Sequence, residues 1–80
     1  MELLIQAKAA KQLSKLPTKD AEAILTKLTR YCAYDRAGLD IKKLVGAPML
    51  RLRHSQWRAI FTDEGNLIEV IQVGHRRDIY

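Results

Sequence analysis

The sequence predicts an α+β domain: a short N-terminal strand, a helical hairpin, then a three-stranded antiparallel β-meander. Two observations predict it. Apolar residues recur at helical spacing before Gly46-Ala47-Pro48, a turn signal, and alternate or cluster as in strands after it. Helices first and strands after put the helices on one face of one sheet and leave the other face free for function.

Residues 2–6, Glu-Leu-Leu-Ile-Gln, read as the first strand. Ala9, Leu13 and Leu16 follow at helical spacing with lysines between them, until Pro17 breaks the segment. Thr18 or Asp20 is the expected N-cap of a second helix, whose apolar stripe is Ala21, Ile24, Leu25, Leu28 and Tyr31. Gly38 is the expected stop. Met49–Arg53 alternates, with Leu50 and Leu52 on one face and Arg51 and Arg53 on the other. His54-Ser55-Gln56 is a short turn before a strand at Trp57–Thr62, and Asp63-Glu64-Gly65-Asn66 is a hairpin turn. Leu67–Val73 is almost wholly apolar, which predicts a central strand covered on both faces and ended by Gly74.

Eighty residues, 1–80, make one domain that buries about 60% of its unfolded surface or slightly more. No apolar run reaches the roughly 20 residues of a membrane span, so no membrane role is expected, and the first residues do not read as a secretory signal. The lone Cys32 fits a reducing cytoplasm. A net charge of +5 favours an anionic partner such as nucleic acid. The two histidines and one cysteine lack metal-ligand spacing, and there is no glycine-rich phosphate loop, so no cofactor is expected.

Basic side chains crowd the second half: Lys42, Lys43, Arg51, Arg53, Arg58, Arg76 and Arg77. Three adjacent strands would bring Arg51, Arg53, Arg58 and Arg76 to one surface. Four such charges without intervening acids repel one another until an anion arrives, and guanidinium forks match phosphate oxygens in pairs. The blander reading is a solvated face, with Arg53 paired to Asp63 or Glu69. His54 and His75 are surface residues on that reading, and Trp57 and Phe61 are core anchors.

The stretch Lys43-Leu44-Val45-Gly46, then Leu50-Arg51-Leu52-Arg53, Trp57-Arg58-Ala59-Ile60-Phe61 and Val73-Gly74-His75-Arg76-Arg77-Asp78-Ile79-Tyr80 resembles the RelE/ParE superfamily of bacterial toxins from toxin–antitoxin systems. The resemblance implies a RelE-like microbial RNase fold. The ending is closer to the RelE branch, whose members cleave mRNA in the ribosome, than to the ParE branch, which poisons DNA gyrase. On that resemblance Arg58, Arg76 and Tyr80 fall on functional positions. Histidine is the side chain suited to moving a proton near neutrality, so His75, beside Arg76, is the first candidate for that and His54 the second. Arg51, Arg53, Lys43, Arg77 and His54 are the RNA-binding candidates. One departure is that Met49 and Arg51 stand where some RelE-like enzymes carry two lysines, and an arginine is a poor general base.

The implied protein is a cytoplasmic, metal-independent endoribonuclease. Its implied partners are mRNA, the ribosome and a cognate antitoxin, held with it in a higher-order assembly. The alternatives are a gyrase inhibitor and a non-catalytic module that binds nucleic acid or a partner.

Overall fold

The computed structural model describes residues 1–79; Tyr80 lies outside the described residues. The chain runs β1 (Glu2–Ile5), α1 (Ala7–Ser14), α2 (Thr18–Cys32), β2 (Asp40–Lys43), β3 (Leu50–His54), β4 (Trp57–Asp63) and β5 (Leu67–His75). All five strands form one sheet in the order β1-β5-β4-β3-β2. β2 to β5 are an antiparallel meander, and β1 lies parallel to β5, with Glu2 opposite Leu67 and Ile5 opposite Val70. The α+β class is as expected. The meander has four strands rather than three, because Asp40–Lys43 pairs with β3.

Both helices lie on one face of the sheet. Ala9 and Leu13 of α1 and Ile24, Leu28 and Tyr31 of α2 are buried against Leu52, Ala59, Phe61, Ile68, Val70 and Val73. Each fully buried large apolar side chain contributes about 1.5–3 kcal/mol. Leu25, expected in the buried stripe, is 36% exposed and lies at its margin. Pro17 itself occupies the cap position of α2, with no side-chain cap. Thr18 is therefore the first helical residue, and Asp20 sits in the first turn, where a carboxylate suits the helix dipole. α2 stops at Cys32, six residues before Gly38, because Tyr34 adopts a left-handed φ of 62°.

β5 departs from its expected course in an informative way. Ile60 faces Gln72 but Phe61 faces Val70, so Ile71 is an extra residue, a β-bulge. The bulge resets the alternation, so Val70 and Val73, three residues apart, both point to the helices. Glu69 and Gln72 take the other side. The strand is thus fully buried on one face only, and it continues through Gly74 to His75. Where β1 has ended, α1 covers the edge of β5: the Val73 N–H donates to Gln12 Oε1 at 2.7 Å.

Candidate nucleic-acid interface

Strand register sorts every candidate side chain to one face or the other. Asp40, Arg53, Arg58 and Gly74 form one cross-strand row, and Lys42, Arg51, Ile60 and Gln72 form the next. Both rows lie on the face away from the helices. Leu52, Ala59 and Val73 form the alternate, inward row.

Arg58 is the centre of the outward face. The β3–β4 turn is a two-residue loop, Ser55-Gln56, in which Ser55 takes a positive φ of 54°. That tight turn leaves two carbonyls pointing at the Arg58 guanidinium, whose Nη1 donates to Ser55 O at 3.2 Å and to Trp57 O at 3.1 Å. The group is held by one nitrogen, and among the described residues its remaining N–H donors have no hydrogen-bond partner, which suits them to a ligand. Burial, and after it the charges of Arg51, Arg53 and Arg76, holds the Arg58 pKa below its usual value, with Asp40 opposing. The other three arginines of the expected cluster therefore act on Arg58. Arg76 is placed by the backbone just past β5, where its N–H donates to Gln56 O at 2.7 Å.

The expectation of a cluster without acids is corrected by Asp40. Its Oδ1 accepts from Arg51 Nη2 at 3.0 Å, and its Oδ2 lies 3.7 Å from Arg53 Nη1. Neither Asp63 nor Glu69 pairs with Arg53. Asp63 accepts from the Tyr31 hydroxyl at 2.7 Å, and Glu69 accepts from Gln6 Nε2 at 2.7 Å. Among the described residues, no carboxylate forms an ion pair with Arg58 or Arg76.

Gly74 shapes the neighbouring ground. It lies opposite Arg58, and a Cβ there would sit 3.2 Å from Ile79 Cγ1 and 3.3 Å from Cδ1. The missing side chain lets the turn after β5 fold back and bury Ile79. Asp78 and Ile79 N–H groups both donate to His75 O, which closes that turn. A cavity of about 240 Å³ lies beside it, walled by Leu16, Trp57, Gly74, His75 and Ile79 among others. A second, of about 370 Å³, is lined by Lys42, Lys43 and Arg51 and by the apolar turn that follows β2.

The remaining candidates are not gathered with the arginines. His54 lies on the inward side under α2, where Nδ1 accepts from Lys27 Nζ at 2.9 Å. An ammonium can only donate, so Nε2 carries the proton and donates to Asp20 Oδ1 at 3.2 Å. His75 shares the row of Trp57, edge to face with it at 5.4 Å. Its Nδ1 accepts from the Arg77 N–H at 3.2 Å, so its Nε2–H donates to Gln56 Oε1 at 2.8 Å. Both ring nitrogens of each histidine are thus engaged. Lys43 pairs with Leu50, which puts it in an inward row, whereas Lys42 shares the row of Arg51. Arg77 is exposed on the turn. Tyr80, the other position carried by the motif, is outside the described residues.

Sequence reasoning missed Asp40 and the role of the Ser55 and Trp57 carbonyls. A signal for the first existed: Leu39 and Ile41 alternate with Asp40 and Lys42, a strand pattern just before the Gly46 turn.

No protein-family model matches the sequence, and no curated protein does. Solved structures do. The chain is similar to the RelB–RelE antitoxin–toxin complex from Methanococcus jannaschii, at 26% identity and a TM-score of 0.81, covering 96% of this chain and 94% of that one. It is similar to the intact RelBE toxin–antitoxin complex of E. coli, at 29% identity and a TM-score of 0.69, covering 91% and 93%. It also shares the fold of a copper-bound mutant toxin from Helicobacter pylori, at 10% identity and a TM-score of 0.83, covering 100% and 99%. With this fold, and with its arginine motifs in the order the resemblance requires, the chain is similar to the toxins of the RelE-like superfamily.

Proposed function

We propose that this chain is the toxin of a toxin–antitoxin pair, an endoribonuclease that cleaves mRNA on the ribosome and arrests translation. The observation that carries the reading is Arg58: a guanidinium fixed by two backbone carbonyls, within the field of three other arginines, on the sheet face that the helices leave open. Such a group is arranged before any ligand arrives and gains most when a phosphate neutralises the cluster.

The reaction is attack of a ribose 2′-OH on its own adjacent phosphate. It releases a 5′-OH and leaves a 2′,3′-cyclic phosphate, with no metal needed. Arg58 stabilises the extra negative charge of the phosphorane, and Arg76, delivered by the turn after β5, clamps the same phosphate. Tyr80 orients the 2′-OH or stacks on a base. His75 acts here as a positioning residue, since its hydrogen bonds to Arg77 and Gln56 hold the turn that carries Arg76. The basic face also defines the antitoxin: a segment with acidic groups laid over the arginines would neutralise them.

The test is inducible expression followed by mapping of RNA ends. Growth arrest with newly cut mRNA is expected. Arg58→Ala and Arg76→Ala should each lower cleavage on the order of 10²–10³-fold. Arrest with intact RNA and broken DNA would replace this reading with a gyrase poison.

A further inference from the structure

The four arginines are not equivalent. Arg58 and Arg76 have no carboxylate partner among the described residues, whereas Arg51 and Arg53 share Asp40. The exposure of the side chains separates them further. Arg53 is 52% exposed, but Arg51 is only 11% exposed. Arg51 also lines the cavity of about 370 Å³, together with Lys42 and Lys43. Three cations thus border an open space, and one of them, Arg51, shares with Arg53 the carboxylate of Asp40, on the neighbouring edge strand directly opposite Arg53 in register.

A carboxylate with one oxygen toward each of two guanidinium groups presents the same pattern of acceptors as two oxygens of a phosphate. We propose that Arg51, Arg53 and Lys42 form a second phosphate subsite, beside the one at Arg58 and Arg76, and that Asp40 gates it by standing in for the phosphate. The proposal deepens the ribonuclease reading and rests on it. In the free protein Asp40 relieves the repulsion within the cluster and keeps Arg51 and Arg53 aligned. A strand bound only at Arg58 and Arg76 gains nothing at the second subsite. A strand that also enters the second subsite must displace Asp40 from the arginines, so the chain discriminates against short or poorly placed anions.

The physical signature is the salt dependence of binding. Each phosphate contact on a single strand adds about 0.7 to the slope of log affinity against log salt. Asp40→Asn keeps the side-chain shape, removes the competing charge and frees the subsite. With a fluorescent 2′-O-methyl oligoribonucleotide, which offers no 2′-OH nucleophile, Asp40→Asn is expected to bind more tightly than the native chain at 50 mM salt. Its slope should be steeper by about 0.7, which shrinks its advantage about two- to threefold between 50 and 200 mM. Asp40→Glu, retaining the charge, should keep the native slope. Thermal unfolding of each variant reports its fold directly.

An Asp40→Asn slope equal to or shallower than the native one, in a folded protein, would overturn the gate and leave Asp40 as a strut between β2 and β3. Failure of the ribonuclease reading looks different: the native chain would bind the oligonucleotide, with or without the Asp40 effect, yet leave cleavable RNA intact. Salt-independent or absent binding by both proteins would remove the second subsite, while the ribonuclease reading falls only if mRNA stays intact after induction.

Discussion

Arg53 and Arg58 stand directly opposite each other on β3 and β4, two cations on one face of the sheet. Like charges in that position are destabilising, by roughly 0.2–1 kcal/mol for an ordinary cross-strand pair. The lowered Arg58 pKa, caused by burial and then by Arg51, Arg53 and Arg76, shows the same cost from the other side. Arg58→Gln should therefore leave stability unchanged or raise it by up to about 1 kcal/mol in urea unfolding. The same variant should lower RNA cleavage on the order of 10²–10³-fold. A clear loss of stability would mean that the bonds to Ser55 and Trp57 outweigh the repulsion.

The Tyr31 hydroxyl binds Asp63 at 2.7 Å, joining α2 to the end of β4. Asp63 is held below its usual pKa by that bond first and by the Gly65 N–H second. Burial, then the bond to Asp63, pushes Tyr31 up to about 12. Tyr31→Phe should cost about 1.5–3 kcal/mol, the range for a hydrogen bond to a charged group. The signs set the pH window. Asp63, with its folded pKa depressed, contributes above its unfolded value near 3.9 and loses that contribution as pH falls through the folded one. Tyr31, with its pKa raised, contributes fully below about 10 and loses its share as pH rises toward about 12. The gap between native and Tyr31→Phe stability should be widest near neutrality and narrow at both ends.

Gly74 is a seat for Ile79. Gly74→Ala asks the Ile79 side chain to give by a few tenths of an ångström, whereas Gly74→Val pushes branched methyl groups into the same space. Gly74→Val should cost about 1–3 kcal/mol through overpacking. It should also lower cleavage beyond what the lost folded fraction explains, because the turn it dislodges carries Arg76. Cleavage rates normalised to the folded population, read by near-UV circular dichroism, check this.

His54 separates structure from catalysis. It ties β3 to α2 through Lys27 and Asp20 on the face opposite the arginines. His54→Leu should lower the thermal midpoint, since its partly buried partners Lys27 and Asp20 each lose a hydrogen bond, at about 0.5–1.5 kcal/mol apiece. The cleavage rate per folded molecule should not change. His75→Leu should behave differently, reducing cleavage by loosening the turn at Arg76 with a smaller effect on unfolding.

The sequence exposed the parts of this molecule that depend on local pattern. The alternation in Leu50-Arg51-Leu52-Arg53 set both faces of β3, and the Ser55-Gln56 and Gly65-Asn66 turns set its pairing with β4 and that of β4 with β5. What escaped depended on neighbours far along the chain. β2 is four residues with little burial, stabilised by pairing rather than by its own composition. Without β2, Asp40 cannot be placed against Arg53. The Ile71 bulge is invisible in an apolar run, since any of its residues would serve as the extra one. The histidines illustrate the same limit: a residue beside a turn can point to either face, and only the pairing decided that His54 goes under α2.

β5 is the last strand of the chain, yet it lies between β1, the first, and β4. Pairing the two ends demands closure of nearly the whole polypeptide, a route associated with slow, late folding. During synthesis one edge of β4 therefore stays unpaired until β5 leaves the ribosome. A nascent copy, lacking the turn that carries Arg76, would be harmless to the very machine that is making it.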